Sequence, residues 1–227
     1  MRKCLCISGQ IRSWNLVKSN WFKNFLDIND VDVFCHFWHN SDNSYYVTNR
    51  GNGVMDEYGD VPSEHLLGRY GDYDISDILN SFRPKSFQIE HPLDSSISNT
   101  NSMFHSIQRC NNIKNNYEKD HNFKYDLVIR SRFDLLFTDP VVIEEVNMNT
   151  LYVKNRPGGC GGLNDWFAYG DSYVMDLYSN IINSLDNYNL EGNCAEGVIG
   201  EVVANNGLSV SYLSDSFRIM RNNGHMV

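Results

Sequence analysis

Apolar residues come in two rhythms along this chain, and the alternation between them predicts the architecture. Short, dense runs read as strands: residues 2–8 (RKCLCIS), closed by Gly9, 31–38 (VDVFCHFW), dense in β-branched and aromatic side chains, 85–90 (KSFQIE) and 125–137 (YDLVIRSRFDLLF). Between them lie segments with apolar residues at helical spacing: IRSWNLVKSNWFKNFL after Gly9, SDILNSF before Pro84, and the long NSMFHSIQRCNNIKNNYEKD. Beyond Pro140 the pattern predicts a short acidic helix over 142–146 (VIEEV), a strand TLYVKN, a glycine-rich loop RPGGCGG, and LNDWFAYG as strand plus turn. Two helices, SYVMDLYSNIINSLDNY and CAEGVIGEVVANN, and a closing strand GLSVSYL complete the chain. Residues 41–76 show no clear period and read as an insertion or long loop.

Strands that alternate with helices imply an α/β fold, with a mainly parallel central sheet covered on both faces. With 227 residues, 41% hydrophobic and 13% aromatic, the chain can bury one large core, so residues 1–227 are expected to form a single domain. The formal charge of −9, from 28 acidic and 19 basic residues, supplies no general attraction for nucleic acid or anionic membrane surfaces. Any phosphate must therefore meet local arginines. The six cysteines form neither a CxxC pair nor a dense disulfide pattern, and no apolar run approaches the ~20 residues that span a bilayer. These features predict a soluble, cytoplasmic protein with reduced thiols.

Ligands of open parallel sheets bind beyond the carboxyl ends of the strands, where the connections change direction. Gly9, Gln10 and Arg12 follow the first strand, His36 ends the second, and Arg130, Arg132 and Asp134 come late in the fourth. For SGQIR, a tight turn with a surface arginine and an anion site at a helix start fit equally well. Strict alternation would put Arg130, Arg132 and Asp134 on one face. There they form either a self-neutralising ion pair or, since two cations face one acid, a site for a metal–diphosphate complex. His36 fits a core position or the lining of a nucleotide pocket. Asp165 follows the glycine-rich loop, whose flexibility lets backbone approach a ligand. Glu196 opens a helix, where the dipole favours any carboxylate.

Taken in order, SGQIRSW, DVFCHFW, YDLVIRSRFDLLF, NDWFAYG and CAEG resemble small bacterial and viral glycosyltransferase-like proteins with the A-type nucleotide-diphospho-sugar transferase fold. The resemblance runs from Ser8 to about Ser211, and its most specific element is RSRFD, similar to that fold's metal-binding acidic motif with arginine in place of the first acid. It implies transfer of a sugar from a nucleotide sugar, UDP-linked in the favoured reading, to a hydroxyl of a glycan or glycoconjugate. Residues 1–134 would form the nucleotide-binding half and 135–227 the acceptor side. By the same likeness Asp134 would hold Mn²⁺ or Mg²⁺, and Gln10 and Arg12 would face the nucleotide. Asp165 and Glu196 would face sugar and acceptor. Arg132 stands where the family has a carboxylate, which removes one anionic ligand. A non-catalytic nucleotide- or sugar-binding protein that has lost the metal is the alternative.

Overall fold

The computed structural model describes residues 1–39, 45–47, 67–69, 75–91, 93, 97–155, 159–187, 194–220 and 226. Its strands are β1 (Lys3–Gln10), β2 (Asp32–Trp38), β3 (Tyr45–Val47), β4 (Leu67–Arg69), β5 (Ser86–Glu90), β6 (Leu127–Ser131), β7 (Leu135–Phe137), β8 (Thr150–Lys154), β9 (Phe167–Gly170), β10 (Ser209–Leu213) and β11 (Phe217–Ile219). The helices are α1 (Trp14–Trp21), α2 (Ile75–Phe82), α3 (Asn99–Asp120), α4 (Ser172–Ser179) and α5 (Ala195–Asn205).

Seven strands form the central sheet in the order β10-β8-β9-β6-β1-β2-β5. All run parallel except β9, which is antiparallel to both β6 and β8. The expected α/β class and mainly parallel sheet are therefore present. Because side chains alternate along a strand, each face builds its own core. Leu5, Ile7, Val33, Phe37, Leu127 and Ile129 pack against α1 and α2 through Trp14, Val17, Trp21, Ile78 and Phe82. On the other face Cys4, Cys6, Phe34 and Val128 meet α3, α4 and α5 through Phe104, Ile107, Val174, Tyr178, Val198 and Ile199.

The chain moves from β1 outward to β2 and β5, then returns through α3 to place β6 on the other side of β1. The carboxyl ends of β1 and β6 thus sit side by side at the point where the winding reverses, the position at which such sheets open a crevice. The reversed direction of β9 adds to this rim. Its first residue, Phe167, pairs with Ser131 at the end of β6, so the loop that precedes β9 reaches the same edge.

Three sequence expectations need correction. The run 125–137 is two strands rather than one: β6 stops at Ser131, residues 132–134 turn, and β7 leaves the sheet to pair antiparallel with β11. Phe133 drives the break. It is fully buried, with its ring 5.6 Å from that of Phe37 and 6.2 Å from that of Phe82. Phe133→Ala should cost about 3–5 kcal/mol, as for other buried aromatics, and would release the turn.

Residues 142–146 are not helical. The backbone at 141–143 is claimed from outside: Asn29 Nδ2 donates to the Val141 carbonyl at 2.7 Å, the Ile143 amide donates to Asn29 Oδ1 at 2.9 Å, and Lys3 Nζ donates to the Ile143 carbonyl at 2.9 Å. The helix predicted over SYVMDLYSNIINSLDNY ends at Ser179, where Asn180 caps it and a 3-10 turn takes over. Most of 41–76, read as a long loop, lies outside the described residues; within it β3 and β4 form an antiparallel pair.

Candidate functional site

At the end of β1 the chain adopts two left-handed conformations in quick succession. Gly9 has φ +115°, a value open to glycine, whereas Arg12 at φ +46° is held there against the preference of a side-chain-bearing residue. Such outliers persist where surrounding contacts determine them, and Arg12 has these contacts. Its Nε donates to Gln10 Oε1 at 3.0 Å and its NH1 donates to Asp134 Oδ2 at 3.2 Å.

From the other side Arg132 grips the same carboxylate with both arms of its guanidinium, Nε to Oδ1 at 2.8 Å and NH2 to Oδ2 at 2.9 Å. Bidentate pairing of this kind is strong and directional. The side chain of Asp134 is only 1% exposed, while those of Arg12 and Arg132 are 24% and 18% exposed. Gln10, Arg12, Arg132 and Asp134 thus meet at the switch point as one cluster, in which two guanidinium groups share one buried carboxylate.

A divalent cation does not fit this cluster. Hard cations need several oxygen ligands, yet both oxygens of Asp134 already accept guanidinium N–H groups. No group of three His, Cys, Asp or Glu residues is arranged to hold a metal among the described residues.

Arg130 stands apart from that cluster, contrary to the same-face expectation, because the turn at 132–134 breaks the two-residue alternation. On β6 it shares the face of Val128 and points into the second core, where it is 2% exposed. Its Nε and NH1 have no hydrogen-bond partner among the described residues, and neither has the buried hydroxyl of Tyr178. Burial pushes the Tyr178 phenol up to about 12, and the charges acting on it are Arg130, which lowers it, and Asp165 and Glu196, which raise it. These four residues therefore share one neighbourhood.

Asp165 is 6% exposed in the loop before β9. Glu196 lies half-buried in the first turn of α5. The glycine-rich loop joins them. The Leu163 amide donates to the Glu196 carbonyl at 3.0 Å, and a Cβ on Gly162 would lie 2.0 Å from that oxygen, so only glycine permits the approach.

Of its two readings, His36 takes the core position. It is fully buried, with Nδ1 2.7 Å from Ser106 Oγ and Nε2 3.4 Å from Glu90 Oε2. Burial chiefly lowers its pKa to about 4, so the ring is neutral at pH 7. The sequence reading missed Tyr178 and the Ser106–His36–Glu90 chain. Tyr178 lies in an apolar helical stretch, where a tyrosine reads as core.

Residues 94–202 match DUF7796, a domain of unknown function. That stretch carries Arg130, Arg132, Asp134, Asp165 and Glu196 but not Gly9, Gln10 or Arg12. No curated protein matches the sequence. Among solved structures, the chain is similar to the apo-form glycosyltransferase GlyE of Streptococcus pneumoniae TIGR4, with 12% identity and a TM-score of 0.45 over 92% of this chain and 44% of that one. A second is the nucleoside-diphosphate-sugar pyrophosphorylase of Vibrio cholerae RC9, with 6% identity and a TM-score of 0.46 over 96% and 94% of the two chains. The present chain thus spans less than half of the GlyE chain.

Proposed function

We propose that this chain is a glycosyltransferase that moves a sugar from a nucleotide-diphosphate donor, UDP-linked in the favoured reading, to an acceptor hydroxyl, with arginines rather than a metal ion meeting the diphosphate. The observation that carries the reading is the convergence of Gln10, Arg12, Arg132 and Asp134 at the switch point of a mainly parallel sheet. Asp134 holds the two guanidinium groups in fixed orientation. The two guanidinium groups stabilise the negative charge that develops on the leaving diphosphate, a preorganised electrostatic role.

Asp165 and Glu196 supply the carboxylates on the adjoining part of the rim. In the transfer step the acceptor oxygen forms a bond to the anomeric carbon, and the bond from that carbon to the diphosphate oxygen breaks with its electron pair. The acceptor proton passes to Glu196 as general base. Nε and NH1 of Arg130 and the hydroxyl of Tyr178, which have no hydrogen-bond partner among the described residues, provide donors for sugar oxygens.

A second reading, binding of nucleotide sugars without transfer, draws support from the complete pairing of Asp134. Incubation with a panel of sugar nucleotides in EDTA, followed by chromatography for released nucleoside diphosphate, separates the two. Turnover in EDTA supports the transferase. Binding without release of nucleoside diphosphate, with or without Mn²⁺, supports the binding protein.

A further inference from the structure

Four of the six cysteines, Cys4, Cys6, Cys35 and Cys110, are buried, whereas Cys160 is exposed and Cys194 is partly so. These two accessible thiols lie side by side although 34 residues separate them: the Cys194 amide donates to Cys160 Sγ at 3.2 Å. With an N–Cα bond of about 1.46 Å, the Cys194 Cα lies within about 4.7 Å of that sulfur. The side chains of Cys160 and Cys194 also lie within hydrogen-bond reach of each other, so forming an S–S bond of about 2.0 Å calls for side-chain rotation and a small backbone adjustment.

The surrounding backbone is arranged to keep them there. Cys160 has a left-handed φ of +56°, which turns the chain tightly between two glycines. Two residues on, Gly162 presses against the Glu196 carbonyl, and Leu163 donates to it. Cys194 caps α5 in extended conformation, and its own carbonyl accepts from the Val198 amide. The turn at 159–161 and the start of α5 are thus already docked together.

We propose that Cys160 and Cys194 are a thiol modification site that closes reversibly to a disulfide, clamping the turn at 159–161 onto the first turn of α5. The oxidant is a small-molecule disulfide such as oxidised glutathione. The Cys160 thiolate attacks one glutathione sulfur, the glutathione S–S bond breaks, and one glutathione thiolate leaves. Cys194 then gives up its proton and its sulfur attacks Cys160 Sγ, expelling the second glutathione. Two protein thiols are oxidised by two electrons and one glutathione disulfide is reduced to two thiols.

Exposure makes Cys160 the first attacker. Burial, followed by the contact with Cys160, pushes the Cys194 thiol up to about 12, so Cys194 acts second, once Cys160 carries glutathione. The closed bond would constrain the unfolded chain and fix the spacing between the loop bearing Asp165 and the turn bearing Glu196. This inference does not rest on the sugar-transfer reading.

The test is to incubate the native protein with oxidised glutathione at pH 8, alkylate the remaining thiols, digest without reduction and analyse by mass spectrometry. The expected result is a cross-linked peptide pair containing Cys160 and Cys194, lighter by two hydrogens than the sum of its parts, with a raised Tm that dithiothreitol reverses. Cys194→Ser should leave glutathione bound to Cys160, and Cys160→Ser should leave Cys194 alkylated. Full alkylation of both cysteines in the wild type, or glutathione retained on Cys160 at equilibrium, would overturn the proposal.

Discussion

Replacing Asp134 by asparagine keeps the shape of the side chain and removes its charge, which tests whether the carboxylate serves to hold two arginines. Three N–H groups converge on it at 2.8, 2.9 and 3.2 Å, and it is almost completely buried. Breaking a buried ion pair by removing one partner costs about 3–5 kcal/mol. The arginine heads are 18% and 24% exposed, so water can take over part of their solvation and the lower end applies. A loss of about 2–3 kcal/mol is expected, consistent with about 1.5–3 kcal/mol per charged hydrogen bond less recovery by solvent. For a chain of this size each kcal/mol moves Tm by about 2–4 °C, so Asp134→Asn should melt about 4–12 °C lower. Its urea midpoint should fall with the m-value unchanged. Addition of Mn²⁺ should not raise the wild-type Tm, because a ligand stabilises only the state that binds it. A variant as stable as the wild type, together with a wild type stabilised by Mn²⁺, would refute this reasoning and restore Asp134 as a metal ligand.

Other outcomes follow from the same geometry. Arg130→Met removes a buried cation that lacks partners at Nε and NH1 among the described residues, so the fold should be unchanged or more stable by about 1–4 kcal/mol while sugar transfer falls; a clear loss of stability in urea would mean that Arg130 has a structural partner. His36 has its pKa lowered from 6.5 to about 4 by burial, with Glu90 acting to raise it and Arg109 to lower it. The unfolded chain therefore binds the extra proton first as pH falls. Stability from this group is full above about pH 6.5 and is lost toward pH 4, by up to about 3 kcal/mol; His36→Asn should flatten that part of the pH profile, and an equally steep profile in the variant would exclude His36 as its source. Under saturating substrates Glu196→Gln should lower kcat by about 10²-fold or more, and Asp165→Asn should raise the donor KM more than it lowers kcat; the reverse pattern would exchange the two roles.

The parts of the fold with local causes were legible from the sequence. β5 matches residues 86–90 because Pro84 and the polar turn after Glu90 bracket a short β-rich run, and α3 follows from the helical spacing of residues 101–120, although it starts two residues earlier, at Asn99, because the Ser98 side chain accepts the Asn101 amide. What escaped the reading depends on partners far along the chain. RSRFDLLF alternates well enough to pass as one strand, but β7 pairs with residues 217–219, and nothing within the run reveals that pairing. The acidic stretch 142–146 has the composition of a short helix, yet Asn29 and Lys3, more than a hundred residues earlier, take its backbone groups. In the site, the ion pair of Arg132 with Asp134 was one of the two readings of RSRFD, whereas the arrival of Arg12 and Gln10 at the same carboxylate needed the left-handed turn at Arg12. The contact between Gly162 and Glu196 was hidden for the same reason, since a glycine-rich loop does not announce which backbone it lets approach.

In the proposed function the switch-point arginines bind a nucleoside diphosphate without a divalent cation. Titration calorimetry of UDP into the wild type and Arg12→Ala, each in EDTA and again with Mn²⁺, tests it most directly. Wild-type binding should be equally tight with and without Mn²⁺, and Arg12→Ala should lose about 1.5–3 kcal/mol, the range for a charged hydrogen bond. Binding that requires Mn²⁺, or an Arg12→Ala affinity equal to that of the wild type, would contradict it.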